Sequence, residues 1–328
     1  MLTARTTRFS RPISVIGLGC WQLGGDWGDV REDRSQEILT AAADAGVTFF
    51  DTADVYGDGR SERSIGAFLR SRSDRERFFV ATKMGRRATP HIPEAYTLDS
   101  FRAWTDRSRE NLGIDKLDLV QLHCPPSEVL STPRTYDDLA TLIEEGRVEK
   151  VGVSVETCEE ALSAIREPRI ASVQIILNLF RRKPLERVLV EAQDAGVAII
   201  ARVPLASGLL SGRYTTNTDF PSNDHRNYNR HGEAFDVGET FSGVPYDVGV
   251  TAAKEIASLT PPGWSTAQLA LRWVLDQGVT TVIPGASHPD QARTNAAVAD
   301  LPPISEKILA ALAEVYHNTI REHVHSRW

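Results

Sequence analysis

Cysteine is scarce. The 328-residue chain has three, Cys20, Cys124 and Cys158, far apart and without a C-x-x-C pair. That spacing argues against a disulfide framework and a zinc site, and it fits a reducing compartment, so a cytoplasmic location is expected. No stretch reaches the roughly 18 uninterrupted apolar residues of a membrane-spanning helix, so no membrane partner is expected. Residues 1–11 are polar and lack the apolar centre of a secretory signal. Positive charge is in deficit: 37 Lys and Arg face 44 Asp and Glu, a net charge of −7. Such a chain repels nucleic-acid phosphates on average. No G-x-G-x-x-G follows the first apolar run, which removes the usual dinucleotide fingerprint.

What is present is rhythm. Hydrophobic residues make up 41% and charged residues 25%, ordinary for a globular chain with a sizeable core. Short apolar runs at 15–18, 47–50, 78–82, 117–122, 148–153, 172–176, 197–201 and 280–283 read as strands. Helical spacing fills 35–45, 61–70, 98–112, 132–145, 158–165, 185–195, 267–277 and 290–298. Thr97 or Asp99 stands near an N-cap, and Gly146, Gly196 and Gly278 stand where helices stop. Eight strands, each followed by a helix, imply a parallel sheet with crossover helices, buried on both faces. The fold class is α/β, a (β/α)8 TIM barrel in a single domain spanning 1–328. A doubly wound sheet competes, but the count of eight favours closure. Two segments break the rhythm: the long polar stretch 212–243 after the seventh strand, and an amphipathic helix at 305–320 that packs on the barrel.

In such barrels chemistry sits at the C-terminal strand ends. Asp51 ends the second strand, with Tyr56 five residues on; Lys83 ends the third and His123 the fourth. Singly, each has a structural reading as a cap, packing residue, solvated cation or core histidine. Together they suit carbonyl reduction, which needs a proton donor beside the developing alkoxide. Tyrosine, with a pKa of about 10, matches neutral pH poorly. A nearby ammonium stabilises the phenolate and lowers that pKa. Lys83 supplies the ammonium, Asp51 holds it, and His123 donates to the carbonyl oxygen. General acid catalysis of this kind is worth about 10²–10⁴-fold.

The run Phe50-Asp51-Thr52-Ala53-Asp54-Val55-Tyr56-Gly57 resembles the signature of the aldo-keto reductase family. So do Gly17-Leu18-Gly19-Cys20-Trp21, Ala81-Thr82-Lys83, Leu122-His123 and Gly152-Val153-Ser154, in order along the whole chain. The resemblance implies an NAD(P)H-dependent oxidoreductase that interconverts a small-molecule carbonyl and an alcohol by direct hydride transfer. Tyr56 is then the general acid/base, tuned by Lys83 and Asp51, with His123 on the carbonyl. It implies no metal and no covalent intermediate.

The resemblance also implies a cofactor extended across the barrel mouth. Gly19, Cys20 and Trp21 line its path, and Ser154 and Gln174 hold the carboxamide; Val155 stands where relatives often place Asn. Pro204, Leu205, Ser207, Gly208 and Leu210 belong to the loop crossing the pyrophosphate. Gly285, Ala286, Ser287, Gln291 and Asn295 form the adenosine end. Arg202 occupies a position usually aromatic, where it stacks on nicotinamide, points at substrate or pairs within the rim. Ser287 stands where a basic residue is common, with Arg213 and Arg293 as substitutes or plain surface residues. NADP is the expected cofactor, with NAD use open. Trp21, Tyr56 and Trp104 offer an apolar wall, although Trp104 also reads as helix packing. Residues 223–231 are either a cover for the site or a solvated loop. An NAD-dependent sugar or alcohol dehydrogenase and a nucleotide-sensing partner protein are the alternative functions. Oligomeric state leaves no mark in the sequence.

Overall fold

The structure, a computed structural model, describes residues 3–4, 8–25 and 30–328. Eight parallel strands lie side by side in chain order: β1 (Leu18–Gly19), β2 (Phe49–Asp51), β3 (Phe79–Met84), β4 (Leu117–His123), β5 (Val148–Ser154), β6 (Ile170–Ile176), β7 (Ala198–Arg202) and β8 (Thr281–Val282). Parallel bridges Ile16–Val282 and Gly19–Gly285 join the last strand to the first and close the barrel. The helices between them are α1 (Glu32–Asp44), α2 (Arg60–Ser71), α3 (Leu98–Leu112), α4 (Pro133–Glu144), α5 (Cys158–Ile165), α6 (Val188–Ala195) and α7 (Thr266–Asp276), with α8 (Pro289–Ala296) after the last strand. Thr157 with Glu160 and Ser265 with Gln268 form capping boxes that satisfy the first N–H groups of α5 and α7. Thr97 caps α3 through the amide of Ser100.

Alternation along the strands places the site. Residues two apart share a face. Phe50, Val80, Val120, Val173 and Ile199 pack outward into the large core beneath the helices. Phe49, Phe79, Ala81, Leu119, Ala198 and Ile200 form a second cluster, which Phe9 and Ile13 join. Continuing along that face towards the strand ends, the residues turn polar: Asp51, Lys83, Gln121, His123, Gln174 and Arg202, all buried. The barrel thus has an apolar plug below and a charged layer above.

The structure departs from the sequence reading in places. The first strand pairs at Leu18–Gly19 rather than throughout 15–18, because it meets β8 only by single bridges around Gly17. A Cβ on Gly17 would lie 2.8 Å from the Phe49 ring, so the backbones approach closely there. Helices at Tyr246–Ser258 and Ser127–Ser131 were not anticipated. The first contains Gly249 and several β-branched residues, a weak intrinsic signal; it forms because Gly249, Val250, Ala252, Ala253 and Ile256 are buried. The tail helix runs Glu306–Val315, then opens into a π turn at Tyr316–Ile320 and ends at Val324. Segment 212–243 is solvated only in part: most of 212–223 is exposed, whereas residues 223–231, read as a cover or a solvated loop, are partly buried. It holds the short helix His225–Tyr228 and turns at Val237–Glu239 and Phe241–Gly243, and Asp224, His225, Asn229, Glu239 and Thr240 are buried. Among the described residues, no helix is long and apolar enough to cross a membrane.

Candidate active site

Four polar side chains meet in one hydrogen-bonded line above the plug. Gln174 Nε2 donates to Asp51 Oδ2 at 2.7 Å. The other Asp51 oxygen accepts from Lys83 Nζ at 2.6 Å, and Nζ also reaches the Thr52 carbonyl at 2.8 Å. The third contact of the ammonium is the Tyr56 hydroxyl, 3.3 Å away. Tyr56 arrives from the β2–α2 loop. Its backbone lies so close to Gly24 that a Cβ there would be 2.7 Å from the Tyr56 carbonyl carbon, and the next residue, Gly57, has φ 57°. Glycine at these two positions lets the first and second loops cross and fixes the phenol. His123 stands edge-on to the Tyr56 ring, with centroids 5.8 Å apart.

Burial sets the electrostatics. Lys83 is fully enclosed, which disfavours its charge, yet Asp51 and Tyr56 outweigh this and raise its pKa, so the ammonium persists. For Tyr56 the sequence reading is corrected. Burial raises its pKa to about 12, and Lys83 offsets that rise only in part. His123 is held well below the usual histidine range, first by burial and then by Arg86, Lys83 and Arg202, so its ring is neutral.

A second ring of charge surrounds the histidine. Arg86 Nη1 lies 3.4 Å from His123 Nε2 and 2.8 Å from Glu239 Oε1. Arg202 donates to Glu156 at 2.9 Å and to the Val155 carbonyl at 3.0 Å, and lies 3.7 Å from Glu239. Against the upward pull of burial, Arg86 and Arg202 hold the Glu239 carboxyl well below the usual range. Burial pushes Glu156 up to about 7, against the pull of Arg202. Of the three readings of Arg202, the ion pair within the rim is the one formed. The sequence reading missed Arg86, Gln121, Glu156 and Glu239. Arg86 carried a signal, since it follows Lys83 by three residues at the same strand end; Glu239 carried none.

A cavity of about 540 Å³ opens over these groups. Of the anticipated residues, Gly19, Cys20, Trp21, Asp51, Tyr56, His123, Gln174, Arg202, Pro204, Leu205, Ser207, Gly208, Gly285, Ala286, Ser287, Gln291 and Asn295 line it. Lys83, Ser154 and Leu210 do not. Lys83 sits beneath the lining, Ser154 lies behind Gln174 with its hydroxyl 3.4 Å from Oε1, and Leu210 is fully buried in the core. Arg213 lines the far end, whereas Arg293 is engaged by Asp290 at 2.8 Å. Segment 212–243 supplies part of the wall through Arg213, Tyr214, Arg226 and Glu239, and its His225 and Phe235 rings lie 4.6 and 5.8 Å from the Trp21 ring. Trp104 packs on Tyr96 and Phe101 instead. After Arg202 the backbone turns through Val203 (φ 52°), Ala206 (φ 47°), Ser207 (φ 54°) and Gly208 (φ 95°). Left-handed residues of this kind build backbone concavities suited to phosphate.

Comparison with known proteins settles the family. The sequence model of the aldo/keto reductase family matches residues 15–317. The chain belongs to the aldo/keto reductase family. It is similar to the aldo-keto reductase YhdN of Bacillus subtilis, 30% identical over 85% of this chain and 82% of that protein. It is equally similar, 30% over 84% of this chain and 81% of the other, to a Schizosaccharomyces pombe aldo-keto reductase named for NADP(+). Among solved structures, the glycerol dehydrogenase of Gluconobacter oxydans superposes with a TM-score of 0.78 at 26% identity, covering 97% of this chain and 96% of that one. This aldo/keto reductase is an oxidoreductase on a (β/α)8 barrel.

Proposed function

We propose that this aldo/keto reductase transfers hydride between NADP(H) and a small polar carbonyl or alcohol, with Tyr56 as the proton donor and acceptor. The observation that carries the reading is the buried line Gln174–Asp51–Lys83–Tyr56, which ends at a phenol on the cavity wall. The cofactor fits the residues present. The left-handed turn at 206–208 offers backbone to a pyrophosphate, Ser287, Gln291 and Asn295 offer polar groups at the far end, and the fission-yeast relative is named for NADP(+). When bound, NADPH supplies the hydride.

The chain's own groups manage the proton. With its pKa about 12, Tyr56 is protonated at neutral pH, the form needed to protonate a carbonyl oxygen. The Lys83 ammonium, 3.3 Å away, stabilises the phenolate left behind, and Asp51 keeps that ammonium in place. The neutral His123 ring orients the carbonyl. Trp21, His225 and Phe235 shield one side from water. The same groups run in reverse for alcohol oxidation. The charged wall of Arg202 and Glu239 and the Gluconobacter relative's name favour a polyol in that direction. Free thiols at Cys20, Cys124 and Cys158 suit the cytoplasm.

The test is oxidation of NADPH and of NADH by the purified protein with reactive aldehydes, diketones and short sugars. Tyr56→Phe serves as the control. Turnover that drops by about 10² or more in the variant supports the reading. Unchanged turnover in Tyr56→Phe removes the tyrosine from its role.

A further inference from the structure

Beside the histidine stands a guanidinium that has no part in the proton transfer above. Arg86 Nη1 lies 3.4 Å from His123 Nε2. The separation is long for a good N–H···N hydrogen bond. The two nitrogens nonetheless face each other in a mostly buried setting, with the Arg86 side chain 20% exposed.

Proton placement on the histidine decides what this contact is. If Nε2 accepted from Arg86, the neutral ring would carry its proton on Nδ1. That atom is buried and has no partner among the described residues. A buried N–H left unpaired is rare, whereas an unsatisfied acceptor is better tolerated. The favoured tautomer therefore has Nδ1 as the bare acceptor and the proton on Nε2. Two N–H donors then stand 3.4 Å apart, and Nη1 keeps one hydrogen beyond the one that Glu239 accepts. A single oxygen atom fits there within about 2.7–3.1 Å of each, the arrangement of an oxyanion hole.

The arginine is held for this role from two sides. Glu239 accepts one N–H of the fork at 2.8 Å, and the Phe235 ring lies 5.3 Å under the guanidinium carbon. Both residues come from segment 212–243. Glu239 takes up one donor and leaves others free, since the guanidinium has five.

We infer that Arg86 is a further catalytic residue, which shares the substrate's carbonyl oxygen with His123, and that Glu239 is its positioning residue. The inference rests on the proposed carbonyl chemistry. In the reductive direction, negative charge grows on the oxygen as hydride adds to the carbonyl carbon. Arg86 and His123 then stabilise that charge through hydrogen bonds, and the proton comes from Tyr56. In oxidation they hold the same oxygen as it loses its proton to the phenolate.

Two measurements test this. In steady-state kinetics, Arg86→Ala lowers kcat/KM by about a hundredfold or more. NADPH affinity, read by quenching of tryptophan fluorescence, stays within about twofold, and added guanidinium ion restores at least a tenfold part of the loss. A merely structural arginine shows no such rescue. The second measurement needs no turnover and no variant: 15N chemical shifts of the wild-type imidazoles show His123 protonated on Nε2. Arg86→Ala within threefold of wild type, beside an inactive Tyr56→Phe, overturns the role of Arg86 and leaves that of Tyr56 standing. A loss without rescue also overturns it, as does an Nδ1–H tautomer. Wild-type protein that binds NADPH but reduces nothing removes the proposed function instead, and the tautomer then decides the donor geometry alone.

Discussion

Lys83→Met is the sharpest perturbation of the proposed site. It removes the ammonium 3.3 Å from the Tyr56 oxygen and nearly preserves side-chain volume. At that distance a charge pair is worth roughly 5 kcal/mol at an effective dielectric of about 20, and about 1 kcal/mol in water. Asp51, 2.6 Å from the same ammonium, cancels part of it. A net loss of about 2–3 kcal/mol for the phenolate follows, or about two in pKa. Burial already holds Tyr56 at about 12, so the variant drives it further from neutral pH. The rate of alcohol oxidation falls by about 10²–10³, and its rise with pH moves to more alkaline solution. Stability changes separately. Removing one partner of a buried pair leaves Asp51 uncompensated and costs about 3–5 kcal/mol. The double variant Lys83→Met with Asp51→Asn recovers most of that stability but none of the rate. The assay is the pH dependence of kcat in both directions, with urea unfolding of all three proteins. A folded Lys83→Met that keeps more than a tenth of wild-type kcat, on an unmoved pH profile, refutes the reasoning.

Two further outcomes follow from the same geometry. His123 is depressed well below 6.5 by burial, Arg86 and Lys83, so the unfolded chain binds a proton that the folded one refuses, and stability falls as pH drops below about 6.5 by up to about 1.4 kcal/mol per unit. Glu156, raised to about 7, acts in the opposite sense between about 4.5 and 7; the readout is therefore the difference from His123→Asn, which loses about 1 kcal/mol less than wild type between pH 7.5 and 5.5 in urea unfolding, and equal losses count against the assignment. Arg213 lines the far end of the cavity, and among the described residues its guanidinium has no carboxylate partner. Arg213→Ala is expected to weaken NADPH about tenfold and NADH less than twofold by fluorescence titration, as loss of one charge-assisted phosphate contact requires; equal weakening of both places the extra phosphate elsewhere.

The sequence alone carried the barrel and the Asp51, Lys83 and Tyr56 part of the central line; the Gln174 bond to Asp51 came only from the structure. Strand and helix periods are local, and each strand-end polar residue occupies the position where an inward-facing layer ends, so Asp51, Lys83 and His123 were legible from their places after apolar runs. Tyr56 was legible from its spacing beyond Asp51. The direction of its pKa was not: proximity of an ammonium can be inferred from sequence, but the competing desolvation depends on how completely the site is enclosed. The helix at Tyr246–Ser258 was hidden because its stability comes from burial rather than propensity. Arg86, Glu156 and Glu239 lie on three separate segments, and their pairing is a long-range event that no local pattern encodes. Sequence thus determined which side chains stand at the strand ends, because alternation and burial are properties of neighbouring residues. Tertiary structure decided which charges neutralise one another and which remain to act, because that depends on distances between segments far apart in the chain and on the water excluded between them.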